Sequence, residues 1–299
     1  MTERVSRNDR KPAGSQVRPR ALGALVLAMA LAAPLRAAGI SGPDLSKLSL
    51  EQLTNLEVTS VAKAPQPLQQ APASIYVITH DDIARSGVTS IAEALRLAPN
   101  LTITQLTASY YSSAARGLGG NPADQSFSNK MLILIDGRSV YSPLFSGIYL
   151  DAQDVILEDV DRIEVISGPG ATLWGANATN GVINIITRPA YLTDGTLISA
   201  GAGNREQDLA ARYGGKINDE TAFRVYGKAF QRAALREPDH SSAHDNWYGA
   251  QGGFRMDRSR ADDTLTLQGD LYRTLENAGN QGSGMLSGAN LLARWQRRY

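Results

Sequence analysis

From about residue 190 onward, the chain alternates between apolar and polar side chains with a period of two. Successive side chains of a β-strand point to opposite faces, so this period predicts strands with one apolar and one polar face. The alternating stretches are 194–203, 206–216, 221–231, 247–256, 265–271 and 288–299. They predict about six antiparallel strands of about ten residues each.

Period two alone leaves two architectures open, a soluble β-sandwich and a transmembrane β-barrel. Two details favour the barrel. The polar faces carry charged side chains beside tyrosine and glutamine, as a water-filled lumen tolerates, whereas the opposite faces hold apolar residues, glycine and alanine, as lipid tolerates. The connections also alternate in length, with a tight one at 218–220 and longer ones at 232–244 and 274–287.

The N-terminal segment is typical of a secretory signal peptide. Residues 1–20 are basic, and the uncharged apolar run Ala21–Leu35 follows. A run of about 15 residues is too short to span a bilayer, which needs about 20. Small residues near position 38 fit a cleavage site, so residues 1–38 are predicted to be removed, with an uncleaved anchor as the alternative.

The middle of the chain, residues 73–190, is predicted to be a compact domain of helices and strands. A capping box at Ser90–Glu93 predicts the start of a helix that ends before Pro99. The predicted strands are 74–79, 101–106, 131–135, 162–166 and 182–187. A polar leader, residues 39–72, precedes this domain and contains the short β-prone run Leu56–Val61. This run is predicted to be unpaired and able to add to a partner's sheet edge, with a linker of no function as the alternative.

Composition excludes several classes of function. The chain has no cysteine and a net charge of +1, which gives no disulfide framework, no thiolate chemistry and no reason to expect nucleic acid. His240 and His244 are four residues apart but lie in a polar loop, not on a helix face. We therefore expect no catalytic residues, no metal and no cofactor.

Four motifs, in this order and spacing, give the chain a resemblance to the TonB-dependent receptor family. They are DGRSVY at 136–141, RIEVISGPG at 162–170, LWGANA at 173–178 and GVINIIT at 181–187. The resemblance implies an α+β plug domain at 73–190, followed at 191–299 by the first strands of an antiparallel transmembrane β-barrel. Because plugged barrels have about 22 strands, some 200 residues of strand are needed, and the six strands here predict a truncated or incomplete sequence.

The resemblance also implies partners and site residues. The TonB box, which the inner-membrane TonB–ExbB–ExbD complex would grip and pull, corresponds to Leu56, Glu57, Val58, Thr59, Ser60 and Val61. Arginines expected to latch the plug to the barrel are Arg116, Arg138 and Arg162. The family often has a further arginine before Gly168, where this chain has Ser167. The protein is expected in the lipid of the outer membrane of a Gram-negative bacterium.

The outward loops of such a plug touch the ligand. The candidate substrate residues are Tyr110, Tyr111, Arg138, Tyr141, Phe145 and Tyr149. Aromatic rings there could stack on a chelate, or they could simply pack against the barrel wall. The expected function is proton-motive-force-coupled uptake of a ferric siderophore, with cobalamin, haem or a glycan as other cargoes. The alternatives are a signal-transducing receptor and a non-functional remnant.

Overall fold

The middle of the chain forms a five-stranded mixed sheet. The computed structural model describes residues 57–62, 65–116, 130–143, 147–150, 152–277 and 282–297. The strands of the sheet are β3 Ser74–Thr79, β6 Met131–Ile135, β7 Arg138–Ser139, β8 Val160–Ser167 and β9 Gly181–Thr187. They have the order β3–β8–β9–β6–β7, in which only β6 and β9 are parallel. We call this sheet, with the elements packed on it, the plug.

Both faces of the plug sheet are covered, which explains the fully apolar sequence of β6. Ile133 faces a large core cluster that includes Ile163 and Ile183. Leu132 and Leu134 face a second, smaller cluster on the opposite side. A strand that is buried on both faces reads as a continuous apolar run because neither face meets water.

Among the described residues of the plug, three short α-helices and one small hairpin accompany this sheet. The helices are α1 His80–Ser86, α2 Ile91–Ala94 and α3 Ala171–Trp174, and the hairpin joins β4 Leu101–Gln105 to β5 Tyr111–Ala115. The complete capping box lies at Thr79 and Asp82, where α1 begins. At the predicted box, Ser90 accepts from the Glu93 amide, but the Glu93 carboxylate accepts from Thr89 instead of closing the box on Ser90.

The second half of the chain forms a six-stranded antiparallel sheet, which we call the wall. Its strands are β10 Gly195–Ala202, β11 Glu206–Asn218, β12 Thr221–Arg232, β13 Trp247–Arg260, β14 Asp263–Asn277 and β15 Ser283–Arg297. They pair in chain order, with β10 and β15 at the edges. The last three strands reach 14 or 15 residues, longer than predicted. The predicted long connection at 274–287 is wrong, because most of those residues pair within β14 and β15.

The two faces of the wall match the predicted alternation. On β12, Arg224 lies on the face towards the plug and is 5% exposed, whereas Val225 lies on the other face and is 46% exposed. The tight connections 219–220 and 261–262 mark one end of the wall, the turn end, and the connections 203–205 and 233–246 mark the other, the loop end. Within the described part of the chain, no helix has the length and apolar character needed to cross a membrane.

Candidate functional sites: the docked N-terminal segment and the plug–wall interface

The predicted TonB-box run is docked on the plug. Strand β1 (Glu57–Val58) pairs antiparallel with β2 (Gln66–Pro67). Val58 is fully buried and Ser60 is 1% exposed. The prediction of an unpaired run is therefore wrong for this conformation, because the plug supplies partners for its main chain. We call residues 57–61 the docked segment; Leu56 lies outside the described residues.

Glu164 of β8 is the main polar partner of the docked segment. Its carboxylate is 0% exposed and accepts hydrogen bonds from the Thr59 amide at 3.1 Å and the Ser60 amide at 2.8 Å. Arg162 donates its Nε to the same carboxylate at 2.9 Å. A buried carboxylate is tolerated only with such partners, so the segment and Arg162 together satisfy Glu164.

Two further side chains hold Ser60. The Trp174 indole donates to the Ser60 carbonyl oxygen at 2.6 Å, and the Asn184 amide donates to the Ser60 hydroxyl at 3.0 Å. Glu164 and Asn184 lie directly opposite each other on β8 and β9. Three residues from three of the family-like motifs thus converge on one segment, a role that the motifs alone did not indicate.

The plug contacts the wall through buried ion pairs. Asp159 pairs with Arg212 and with Arg224, and Asp154 pairs with Lys228 at 2.6 Å. In every ion pair between plug and wall among the described residues, the plug supplies the carboxylate and the wall supplies the cation. The direction of charge is the reverse of the predicted arginine latch.

The predicted latch residues have other surroundings. Arg162 pairs with Asp161 and Glu164 inside the plug. Arg116 is exposed and has a positive φ of 57°, and Arg138 is half-buried in β7. A latch role for the three arginines stays a prediction that the described ion pairs do not use.

A compact cluster joins the Asp136–Gly137 turn to the wall. The Thr187 hydroxyl donates to Asp136 at 2.8 Å and accepts from Arg224 at 2.8 Å and from Arg255 at 2.9 Å. Arg224 and Arg255 lie directly opposite each other on neighbouring strands, an arrangement of like charges that is unfavourable alone. The counter-charges come from Asp159, which pairs with Arg224, and from Asp136 and Asp257, which pair with Arg255.

The candidate substrate residues do not form one site. Tyr111 is buried in the plug core, where burial and then the charge of Glu93 raise its pKa to about 12. Tyr110, Tyr141 and Tyr149 are half-buried. Phe145 lies outside the described residues.

Arg138 is separated from the adjacent residues Tyr110 and Tyr111. It follows the Asp136–Gly137 turn, where the Arg294 guanidinium approaches Gly137 near the turn end of the wall. Ala108, next to Tyr110 in the β4–β5 connection, instead donates its amide to Asp245 at the loop end, at 2.7 Å. The structure therefore places Arg138 and Tyr110 at different ends of the wall.

A cavity of about 310 Å³ lies between plug and wall at the loop end. It is lined by Gln105, Ala108, Arg205, Glu206, Arg232, Ala233 and Leu235. The Thr89 hydroxyl donates to Glu206 at 2.7 Å and accepts from Arg232 at 3.0 Å, so plug and wall share one polar network there. None of the wall residues of this cavity was a candidate from sequence, because the contacts span more than a hundred positions.

A plug seated on the polar face of an antiparallel wall is the arrangement found in outer-membrane transporters whose barrel lumen is plugged. The description that matches residues 67–182 is "TonB-dependent Receptor Plug Domain". Residues 67–182 therefore belong to the plug-domain family of TonB-dependent receptors, and the relatives of the chain are outer-membrane proteins of Gram-negative bacteria.

Two relatives illustrate the extent of the similarity. The vitamin B12 transporter BtuB of Vibrio vulnificus is 32% identical over 160 residues, which cover 53% of this chain and 25% of that protein. An iron-regulated outer membrane virulence protein of Vibrio cholerae is 33% identical over 191 residues, which cover 58% of this chain and 27% of that protein. The chain thus spans about a quarter of the length of these relatives.

Solved structures share the fold. The ferric enterobactin receptor PfeA of Pseudomonas aeruginosa superposes with a TM-score of 0.59 at 20% identity, covering 77% of this chain and 39% of the receptor. The ferripyoverdine receptor of the same organism superposes with a TM-score of 0.63 at 16% identity, covering 81% and 34%. The predicted fold class, a plug followed by antiparallel barrel strands, is confirmed.

Proposed function

We propose that the protein takes part in TonB-dependent uptake of a scarce ligand across the outer membrane, driven by the proton-motive force. The observation that carries this proposal is the docked segment. It pairs with only two residues of β2 and lies outside the five-stranded sheet, so it can leave without dismantling the plug. A strand that can leave is what a partner needs when it binds by adding a strand of its own.

A ferric siderophore is the proposed cargo. The residues that line the cavity at the loop end include two arginines, Arg205 and Arg232, and one glutamate, Glu206, which pairs with Arg232 at 3.7 Å. Guanidinium groups bind anionic oxygen ligands well, so this balance favours a negatively charged chelate. Iron regulation of the Vibrio cholerae relative supports the same cargo, whereas the similarity to a vitamin B12 transporter makes cobalamin the second candidate. We also propose that the chain has no enzymatic activity.

Replacing Val58 by proline tests the coupling. Proline has no amide hydrogen and would prevent the segment from pairing with another strand. In cells that express the gene as the genome encodes it, we expect this variant to lose iron-chelate uptake. Chelate binding by the purified receptor, measured by tryptophan quenching, should be unchanged. Gln69→Pro, at an exposed position beyond the segment, is the matched control.

The outcomes separate the parts of the proposal. Uptake that survives Val58→Pro would remove the coupling role of the segment. If cobalamin quenches the tryptophan fluorescence and no iron chelate does, cobalamin would replace the ferric siderophore as the proposed cargo. Chelate binding with no uptake in the unaltered protein, together with a ligand-dependent transcriptional response, would favour a signalling receptor.

A further inference from the structure

The docked segment is held in a closed state, in which its main chain cannot serve another strand. The amides of Thr59 and Ser60 donate to Glu164, and the Ser60 carbonyl accepts from Trp174. Strand addition needs free amide and carbonyl groups in this stretch. A partner strand therefore competes with side chains of the plug for the same atoms.

We propose that Glu164 is the clamp that keeps the segment closed and thereby sets its availability to a strand-adding partner. Glu164 is the one side chain among the described residues that accepts from two successive main-chain amides of the segment. Its bonds are charge-assisted, which makes them stronger than bonds between neutral groups. The inference rests on the proposed function only for the identity of the partner, since closure itself is a property of the chain.

Because Glu164 is buried, release of the docked segment costs free energy at this residue. The Glu164 side chain has no exposure, and its partners come from Arg162 and from the segment. When the segment leaves, Glu164 keeps Arg162 and loses the rest, so opening carries a cost at Glu164 itself. If only a fraction of molecules is open, the apparent affinity for the partner falls by that same fraction.

Asp161 provides a matched control. It pairs with the same Arg162 guanidinium as Glu164 does, at 2.5 Å, but its side chain is 38% exposed. Among the residues that the structure describes, that arginine is the one side chain that pairs with Asp161. Asp161→Asn therefore removes one negative charge next to Arg162 without touching the amides of the segment.

Hydrogen exchange of the Thr59 and Ser60 amides, measured on the full purified chain in detergent micelles, tests the clamp without any partner. We expect Glu164→Gln to accelerate their exchange about tenfold or more, because a neutral amide replaces a charged acceptor. Glu164→Asp keeps the charge but shortens the side chain, so we expect smaller acceleration in the same direction. Asp161→Asn should leave both rates within about twofold of the unaltered chain.

The clamp is wrong if Glu164→Gln and Glu164→Asp exchange no faster than Asp161→Asn. If Glu164→Gln fails to fold, Glu164→Asp decides the question. Binding of a purified TonB periplasmic domain is then measured separately. Faster exchange in both variants without any such binding would support the clamp and remove TonB as the partner, so the two proposals fail independently.

Discussion

Replacing Asp159 by asparagine tests how the plug is held against the wall. The Asp159 side chain is 4% exposed and pairs with Arg212 and Arg224, whose side chains are each 6% exposed. Asparagine keeps the shape of the residue and one acceptor oxygen but removes the counter-charge of two buried cations. Arg224 retains Thr187 and the Arg188 carbonyl as partners, so the main loss falls on Arg212.

The expected magnitude follows from this geometry. Removing one partner of a buried ion pair costs about 3–5 kcal/mol, because the remaining charge stays out of water. The partners that Arg224 retains place the expected loss near the lower bound, about 3 kcal/mol. That loss corresponds to a decrease of about 100-fold in the equilibrium constant for folding.

Urea unfolding of the purified chain in detergent micelles measures this loss. Trp247 reports on the interface, because its ring packs 4.5 Å from Phe230 within the core cluster that plug and wall share. The matched control is Asp161→Asn, which alters an exposed ion pair and should cost at most about 1 kcal/mol. If the two variants unfold within about 1 kcal/mol of each other, buried charge pairing does not hold the plug.

Two further predictions concern the wall and the plug core. A methyl group added by Gly214→Ala would collide with the backbone oxygen of Thr193, whereas one added by Gly284→Ala meets no heavy atom within 4 Å. We therefore expect lower stability in urea only for Gly214→Ala. Equal stability of the two variants would refute the close approach at Gly214. Because burial raises the pKa of Tyr111 from 10.0 to about 12, its contribution to stability is complete below pH 10 and is lost as pH rises towards 12. Tyr111→Phe should remove that part of the alkaline loss, measured as urea midpoints between pH 9 and 12, and an unchanged pH profile would contradict it.

Local patterns predicted the elements that local physics controls. The period of two predicted the wall and its faces, because one face of the central strands β11 to β14 is more buried than the other. The prediction of a long connection at 274–287 was wrong, since β14 and β15 continue to pair up to Asn277 and Ser283. Tyr111–Ala115 was missed as a strand because its small residues Ser112–Ala115 carry little β-propensity, and pairing with β4 determines it.

The sites depended on contacts that no local pattern carries. Thr59 and Glu164 are 105 positions apart, and Asp159 meets Arg212 across 53 positions. A signal was nevertheless present in the sequence. Glu164 and Asn184 each lie between two apolar neighbours in their strands, and a polar side chain at a buried position needs a specific partner. Sequence alone indicates that such partners exist but not which residues supply them.

Asn184 lies between two interfaces, the one of the plug with the docked segment and the one of the plug with the wall. A comparison of the two indicates which should open first. The Nδ2 of Asn184 donates to Ser60 of the docked segment. Its Oδ1 accepts from the amide of Gly137, in the turn of the plug that the Asp136 cluster joins to the wall. The segment is held mainly by hydrogen bonds, whereas the plug is held by several buried ion pairs with the wall. A net hydrogen bond contributes about 0.5–1.5 kcal/mol, or up to about 3 with a charged partner, and breaking a buried ion pair costs about 3–5. A pull on the segment should therefore detach it at Glu164 and Ser60 while Asp136, Asp154 and Asp159 still keep the plug on the wall.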